Sequence, residues 1–184
     1  ITGIFFSKHK TARCIFEDSK GRLWLLSPSC IYQIKNEKHI NSYLEGGLSE
    51  NFTSFCEDNS GNLYVGSRHS GMFLYDEGDD SFHSIPYHQK LTITDLYLAN
   101  QEEIYLGTDG NGVKIYNIRE KKIKDSNFNI TTLDFSKAKV HSLIKDNQGN
   151  TWIGCFQKGV IIVPAITNGF NYIGYKSVTS NSIG

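Results

Sequence analysis

The chain has no excess of charge of either sign: 19 basic residues meet 19 acidic ones over 184 positions. The field that would gather nucleic acid or an anionic membrane surface is therefore missing. No apolar run approaches the roughly 20 residues that span a bilayer, and the longest, Gly159 to Ile166, contains Pro164 and is expected as a buried strand. Four cysteines, Cys14, Cys30, Cys56 and Cys155, include no CxxC pair and match no zinc or redox spacing. They are expected as small buried side chains, with no support for a disulfide. Of the six histidines only His83 and His88 stand close in sequence, flanking Pro86 without a third ligand nearby, so no metal site and no cofactor is expected. A Ser-centred nucleophile elbow is lacking, and GTDGNG at 107–112 is not followed by the helix that a phosphate-binding loop opens. The chain begins at Ile1 without an initiator Met or the features of a signal peptide, which suggests a piece of a longer protein.

What is plentiful points one way. Ten Tyr, eleven Phe and seventeen Gly, against one Met and three Pro, describe a chain that turns often and fills its strands with aromatic side chains. The turns repeat. CIFEDSKGRLWLLS at 14–27 returns as SFCEDNSGNLYVGS at 54–67, as the more worn DLYLANQEEIYLGT at 95–108, and as SLIKDNQGNTWIGC at 142–155. Its aromatic anchors, Trp24, Tyr64, Tyr105 and Trp152, are 40, 41 and 47 residues apart. Each copy predicts a strand, an acidic turn closed by Gly, and an aromatic-aliphatic strand, which is a hairpin. Asp18, Asp58 and Asp146 can bond their own turn's backbone, and Gly21, Gly61 and Gly149 can take a positive φ. The third copy, with Asn100 and Glu102, should turn more loosely.

A third strand follows each hairpin (CIYQIK, MFLYD, VKIYN, VIIVP), then a weaker fourth at 39–44, 81–87, 122–128 and 170–176. Four strands in about forty residues, in tandem, is the period of a propeller blade. The expected fold is all-β: an incomplete β-propeller of about four four-stranded antiparallel blades over residues 1–184, near 11–45, 51–88, 92–130 and 138–176. The anchor aromatics are expected between blades rather than on a ligand. The Glu-Asp pairs at 17–18 and 57–58 are expected as turn chemistry rather than as an acid/base couple.

Gly46 to Asp76, GGLSENFTSFCEDNSGNLYVGSRHSGMFLYD, resembles the two-component regulator propeller repeat: a Leu-Ser start, an Asp-x-x-Gly turn, an aromatic-aliphatic-Gly-Ser/Thr strand and a Gly-apolar restart. The pattern recurs at 13–32 and 140–163, and at 95–116 without the turn acid. Leu26 in place of the blade Gly and the short restart SPSC at 27–30 depart from it. The resemblance implies the extracytoplasmic, periplasmic sensor half of a hybrid two-component histidine kinase, of the kind common in gut bacteria that harvest polysaccharides. It further implies an oligosaccharide signal passed to a phosphorelay in the parent chain, with the membrane anchor, the kinase and any DNA-binding module elsewhere in that chain. Family propellers close with about seven blades, so open terminal blades are expected to self-associate.

If strands run innermost to outermost in sequence order, the loops between second and third strands gather on one rim. Arg68, His69, Asp109, Asn111, Gln157 and Lys158 vary between copies on a constant scaffold, and they are the candidate ligand-binding residues. Amides, Arg and His there suit a hydroxyl-rich sugar, with an aromatic face nearby. Catalysis is not expected. A protein-interaction scaffold is the alternative, and a propeller glycosidase or lyase would need a converging pair of carboxylates, which no non-repeating acidic pair supplies.

Overall fold

The computed structural model describes residues 11–36, 39–44, 50–87, 90–126, 128 and 134–165. The fourth strand expected at 170–176, the closing segment to residue 184, His88 and most of the loop at 45–51 lie outside them.

Four antiparallel sheets follow one another in chain order. Sheet 1 holds β1 (Cys14–Glu17), β2 (Leu23–Ser27), β3 (Cys30–Asn36) and β4 (His39–Tyr43); sheet 2 holds β5 (Phe52–Glu57), β6 (Leu63–Ser67), β7 (Gly71–Asp76) and β8 (Ser81–Ser84). Sheet 3 holds β9 (Ile93–Leu98), β10 (Glu103–Thr108), β11 (Val113–Asn117) and β12 (Lys122–Asp125); sheet 4 holds β13 (Val140–Lys145), β14 (Thr151–Cys155) and β15 (Gly159–Val163). Within every sheet spatial order equals sequence order. Between sheets the first strands are neighbours, β1 with β5, β5 with β9 and β9 with β13. This is the meander of a propeller blade, and the described sheets form an open array, as the sequence predicts.

The turn motif has one chemical centre. Asp58 Oδ1 accepts the N–H groups of Ser60 and Asn62, both at 2.9 Å, while Oδ2 accepts Asn62 Nδ2 at 2.7 Å and the Tyr64 hydroxyl at 3.2 Å. Asp18 and Asp146 repeat the arrangement, each taking the indole N–H of the residue six places on, Trp24 or Trp152, at 2.8 Å. In the third copy Ala99 stands where the carboxylate would be; the turn closes through the Ala99 N–H on Glu103 O, with Asn100 Oδ1 accepting the Glu102 N–H. Tyr105 then packs edge-on against Phe128. Glu57 also belongs to turn chemistry, since its carboxylate accepts the Ser19 N–H and hydroxyl and holds the first sheet's turn on the second sheet.

Side chains on one face of each sheet interleave with the opposite face of the next. Trp24, Leu26, Ile31 and Tyr43 meet Phe55, Val65, Phe73, Tyr75 and Phe82; Cys56, Tyr64 and Met72 meet Ile93, Leu96, Ile104 and Leu106; Tyr105 and Val113 meet Val140, Leu143 and Ile153. Trp24 is fully enclosed, its ring 5.0 Å from that of Tyr75 and 5.8 Å from that of Phe82. None of the four cysteines forms a disulfide; three are buried and Cys14 is half-buried. Burial pushes the Cys56 thiol up to about 12, which leaves it without thiolate at neutral pH.

Gly66, Gly107 and Gly154 each sit opposite a register shift in the first strand of their own sheet, at 52–55, beside Thr94 and at 140–142. The next sheet's first strand comes close there: a methyl on Gly66 would stand 2.8 Å from Ile93 Cγ2, and one on Gly107 2.9 Å from Val140 Cγ1. Leu26 occupies the same place in sheet 1, where β1 pairs without a shift, and its side chain is buried between sheets 1 and 2. The departure in sequence is therefore a departure in strand register. Gly107→Ala should destabilise the fold by about 1–3 kcal/mol through overpacking, measured by urea unfolding. A change within error would mean that β9 and β13 separate easily at that point.

Candidate functional site

Ser67 and Thr108, both buried, organise the loops between second and third strands. Ser67 Oγ accepts the N–H groups of His69 and Ser70 at 3.1 Å and donates to Glu50 O; Thr108 Oγ1 accepts the Asn111 N–H at 3.0 Å and donates to Gly112 O at 2.7 Å. Cys155 takes this position in sheet 4, where Gln157 reaches positive φ and the Lys158 N–H donates to Cys155 O. The hydroxyls fix the backbone, so the side chains beyond them are presented on rigid turns.

Arg68 and Asp109 come together from adjacent sheets, Nη1 to Oδ2 at 3.6 Å, and the other oxygen of Asp109 meets Lys139 Nζ at 3.3 Å. The ion-pair chain Arg68–Asp109–Lys139 thus crosses sheets 2, 3 and the entry to 4. His69 lies apart, in a cleft of about 300 Å³ with Tyr87, Lys90 and Ile123. Asn111 borders a separate cleft of about 270 Å³ with Phe128 and Ser136. Gln157 and Lys158 stand on the sheet 4 loop, and among the described residues no hydrogen bond or ion pair joins either to Asp109. Sequence reasoning missed Lys139 and Phe156. Lys139 precedes a first strand, at the place of Asn51 and Thr92, and that recurring junction was the available signal. Phe156, half-exposed, donates its N–H to Lys139 O at 2.8 Å and lies 5.6 Å from the His141 ring, giving the rim an aromatic surface.

Asp76, Asp79 and His83 bring one ligand atom each within 4.8 Å of one another on the exposed β7–β8 hairpin. Their bonds are those of the turn itself: Asp76 Oδ1 accepts the Gly78 N–H, and Asp79 takes the Ser81 hydroxyl and His83 Nε2.

The fold and its rim define a propeller fragment with a polar, loop-built face. Residues 46–69 match the family model for the two component regulator propeller, so the resemblance read from this repeat holds. No curated protein matches the chain. Among solved structures it is similar to the extracellular domain of a protein described as a hybrid two component system from B. thetaiotaomicron, at 16% identity and TM-score 0.67, covering 86% of this chain and 23% of that one. It is also similar to virginiamycin B lyase from Staphylococcus aureus, at 14% identity and TM-score 0.65, covering 86% and 57%. A third is YCF48 bound to D1 peptide, at 12% identity and TM-score 0.61, covering 85% and 51%. The chain thus spans less than a quarter of that extracellular-domain structure. An extracellular domain of a two component system, a lyase and a protein bound to a peptide share the fold, which by itself decides no function.

A carboxylate on the first strand of sheet 3 joins that sheet to the next. Asp95 Oδ2 accepts the Leu143 N–H at 2.8 Å and Oδ1 the Leu96 N–H at 2.9 Å, so it links sheet 3 to sheet 4. Burial raises its pKa, and the two N–H bonds only partly oppose the rise. A folded pKa above the unfolded value, about 4, means that the stabilisation is fully present below pH 4 and is lost as pH rises through the folded pKa. Asp95→Asn keeps an oxygen for Leu143 without the charge. It should raise the thermal midpoint at pH 7, with the gain shrinking toward zero by pH 4; a variant less stable at pH 7 would contradict burial as the governing influence.

Proposed function

We propose that this chain is part of an extracytoplasmic ligand-sensing propeller of a hybrid two-component sensor histidine kinase, and that its loop rim meets an oligosaccharide. The observation that carries the reading is the Arg68–Asp109–Lys139 chain beside Phe156 and His141, a non-repeating polar and aromatic surface on a repeating frame. The match at 46–69 and the likeness to an extracellular domain support the sensor class and a periplasmic setting. No described helix is long and apolar enough to cross a membrane, in keeping with an anchor carried elsewhere in a parent chain. Bound sugar would bridge sheets 2 to 4 and favour whichever sheet arrangement it fits, which is how a binding event becomes a signal. We read the fragment as non-catalytic: Asp18, Asp58 and Asp146 are taken up by their turns and Asp109 by its two cations.

A protein-interaction scaffold is the second reading, favoured by a face that no described residue covers. Ile144, Trp152 and Ile162 pair across sheet 4 in the row that Trp24 occupies in sheet 1, yet Trp152 is 38% exposed where Trp24 is 0%. At the other end Ile15 is 65% exposed, while its counterparts Phe55, Leu96 and Leu143 are buried against a preceding sheet. These are the two halves of one inter-sheet contact, so a second copy would dock head to tail.

Calorimetric titration of the chain against plant and host oligosaccharides tests the first reading. Saturable binding weakened about tenfold or more by Arg68→Ala or Lys158→Ala is the expected result for lost charge-assisted bonds. Failure of every glycan would place the scaffold first. Sedimentation velocity tests the docking: association that rises with concentration and is abolished by Ile144→Lys is expected, and a monomer at all concentrations would refute it.

A further inference from the structure

The rim opposite the loops, where the Asp turns lie, holds a cleft of about 630 Å³ between sheets 1 and 2. Its volume is that of a small-ligand site. Arg22, Gln33 and Lys35 line it from sheet 1, and Tyr75, Glu77 and Asp80 from sheet 2. The repeat supplies its own comparison. At the next junction, between sheets 2 and 3, the corresponding residues are Asn62 for Arg22, Leu74 for Gln33, Tyr116 for Tyr75, Ile118 for Glu77 and Lys121 for Asp80. Only the tyrosine belongs to the frame. A buried glutamine in a row otherwise filled by Leu74, Ile115 and Ile162 does not serve packing alone.

The groups are held in place. Asp80 Oδ1 accepts the Tyr75 hydroxyl at 2.6 Å and the Tyr43 hydroxyl at 2.8 Å, from two different sheets, and these bonds keep its carboxyl below the usual range and ionised. The Tyr43 hydroxyl lies 3.4 Å from Gln33 Oε1. Arg22 is already committed: Nε to Asp18 at 2.6 Å, Nη1 to Glu77 at 2.6 Å, and its guanidinium carbon 5.4 and 5.3 Å from the Trp24 and Tyr75 ring centres. Around the cleft the carboxylates of Asp18, Glu77 and Asp80 outnumber the cations Arg22 and Lys35, so it offers no net positive charge to an anion, although Arg22 Nη2 is buried without a hydrogen-bond partner among the described residues. The cleft presents carboxylate oxygen, an amide, the side of a tyrosine ring and the Lys35 ammonium at its edge, a mixed set that suits a ligand rich in hydroxyl groups and without net charge.

We propose that this cleft is a second binding site, built between sheets 1 and 2 for a neutral polyhydroxylated ligand such as a short uncharged oligosaccharide. It rests on the ligand-sensing reading above and adds to it a location and a charge preference. Xylotriose, mannotriose and maltotriose serve as neutral probes and trigalacturonate as the acidic one. Each is titrated into the chain while the indole N–H signal of Trp24, beneath Arg22, is followed by NMR. Saturable binding of a neutral probe that moves this signal is expected, weakened about tenfold or more by Gln33→Leu, the repeat's own residue, and by Asp80→Asn, which keeps an acceptor for both tyrosines. Binding that leaves Trp24 unmoved and responds only to Arg68→Ala overturns the cleft but keeps the sensor reading. Preference for trigalacturonate in the cleft overturns the charge class, and no saturable binding of any probe overturns the cleft and the sugar reading together.

Discussion

One carboxylate in each well-formed repeat ties three levels of structure together. The Asp of the Asp-x-x-Gly turn accepts two backbone N–H groups, which closes the hairpin, and an indole or phenol six residues on, which fixes the large side chain of the second strand. That side chain is the one the next sheet covers. A turn, a rotamer and an inter-sheet contact therefore share one acceptor, and buried polar groups that share bonds in this way rigidify what they join. Burial of Asp18 works against its charge, but bonds from Trp24 and Arg22 outweigh that and leave its pKa below the ordinary value. At half-buried Asp146, bonds from Trp152 and Asn150 lead the shift, to about 2. Sheet 3, with Ala99 in this place, relies on Tyr105 against Phe128 instead.

The second constraint is distance between sheets. Where β5, β9 and β13 shift register near their starts, the facing residue of the second strand is glycine, and the next first strand fills the space its side chain would need at Gly66 and Gly107. Hydrogen bonds then cross between sheets without a ladder, from Thr94 Oγ1 to Val140 O at 2.7 Å and from the Leu143 N–H to Asp95. Sheet 1 follows the other solution, regular pairing with Leu26 as a packing residue. The Gly-to-Leu exchange and the missing register shift are one event seen at two levels.

Local order was legible in sequence because a repeat states it several times. Asp58, Gly61 and Tyr64 recur in register with Asp18, Gly21 and Trp24, and a turn bond or a positive φ depends only on residues within reach along the chain. Contacts between sheets were legible only in outline. The anchors were placed between blades, which holds for Trp24 and Tyr64, whereas Trp152 sits on a face that no described residue covers. The clamp of Glu57 on Ser19 and the meeting of Arg68 with Asp109 and Lys139 depend on how far one sheet turns against the next. No spacing in one chain encodes that angle. The rim residues were chosen because they vary, and variation marks Arg68 and Lys158 alike although only Arg68 is drawn into the ion-pair chain.

Variation between copies gains meaning once the frame is known in three dimensions. A residue that differs in sequence and also points into a space shared by two sheets has lost the packing reason for its identity. Arg22, Gln33, Glu77 and Asp80 meet that test together, and they do so around Trp24, the most enclosed anchor of the chain. Arg22 is bonded to Asp18, the same carboxylate that holds the Trp24 indole. A molecule resting on Tyr75 and Asp80 would therefore bear on the turn, the anchor and the contact between sheets 1 and 2 at once. In a stack of sheets joined chiefly face to face, added contacts at one junction stabilise one relative angle of its two sheets. That is the physical means by which a site placed between blades, rather than on one of them, could report its occupancy to the rest of a propeller.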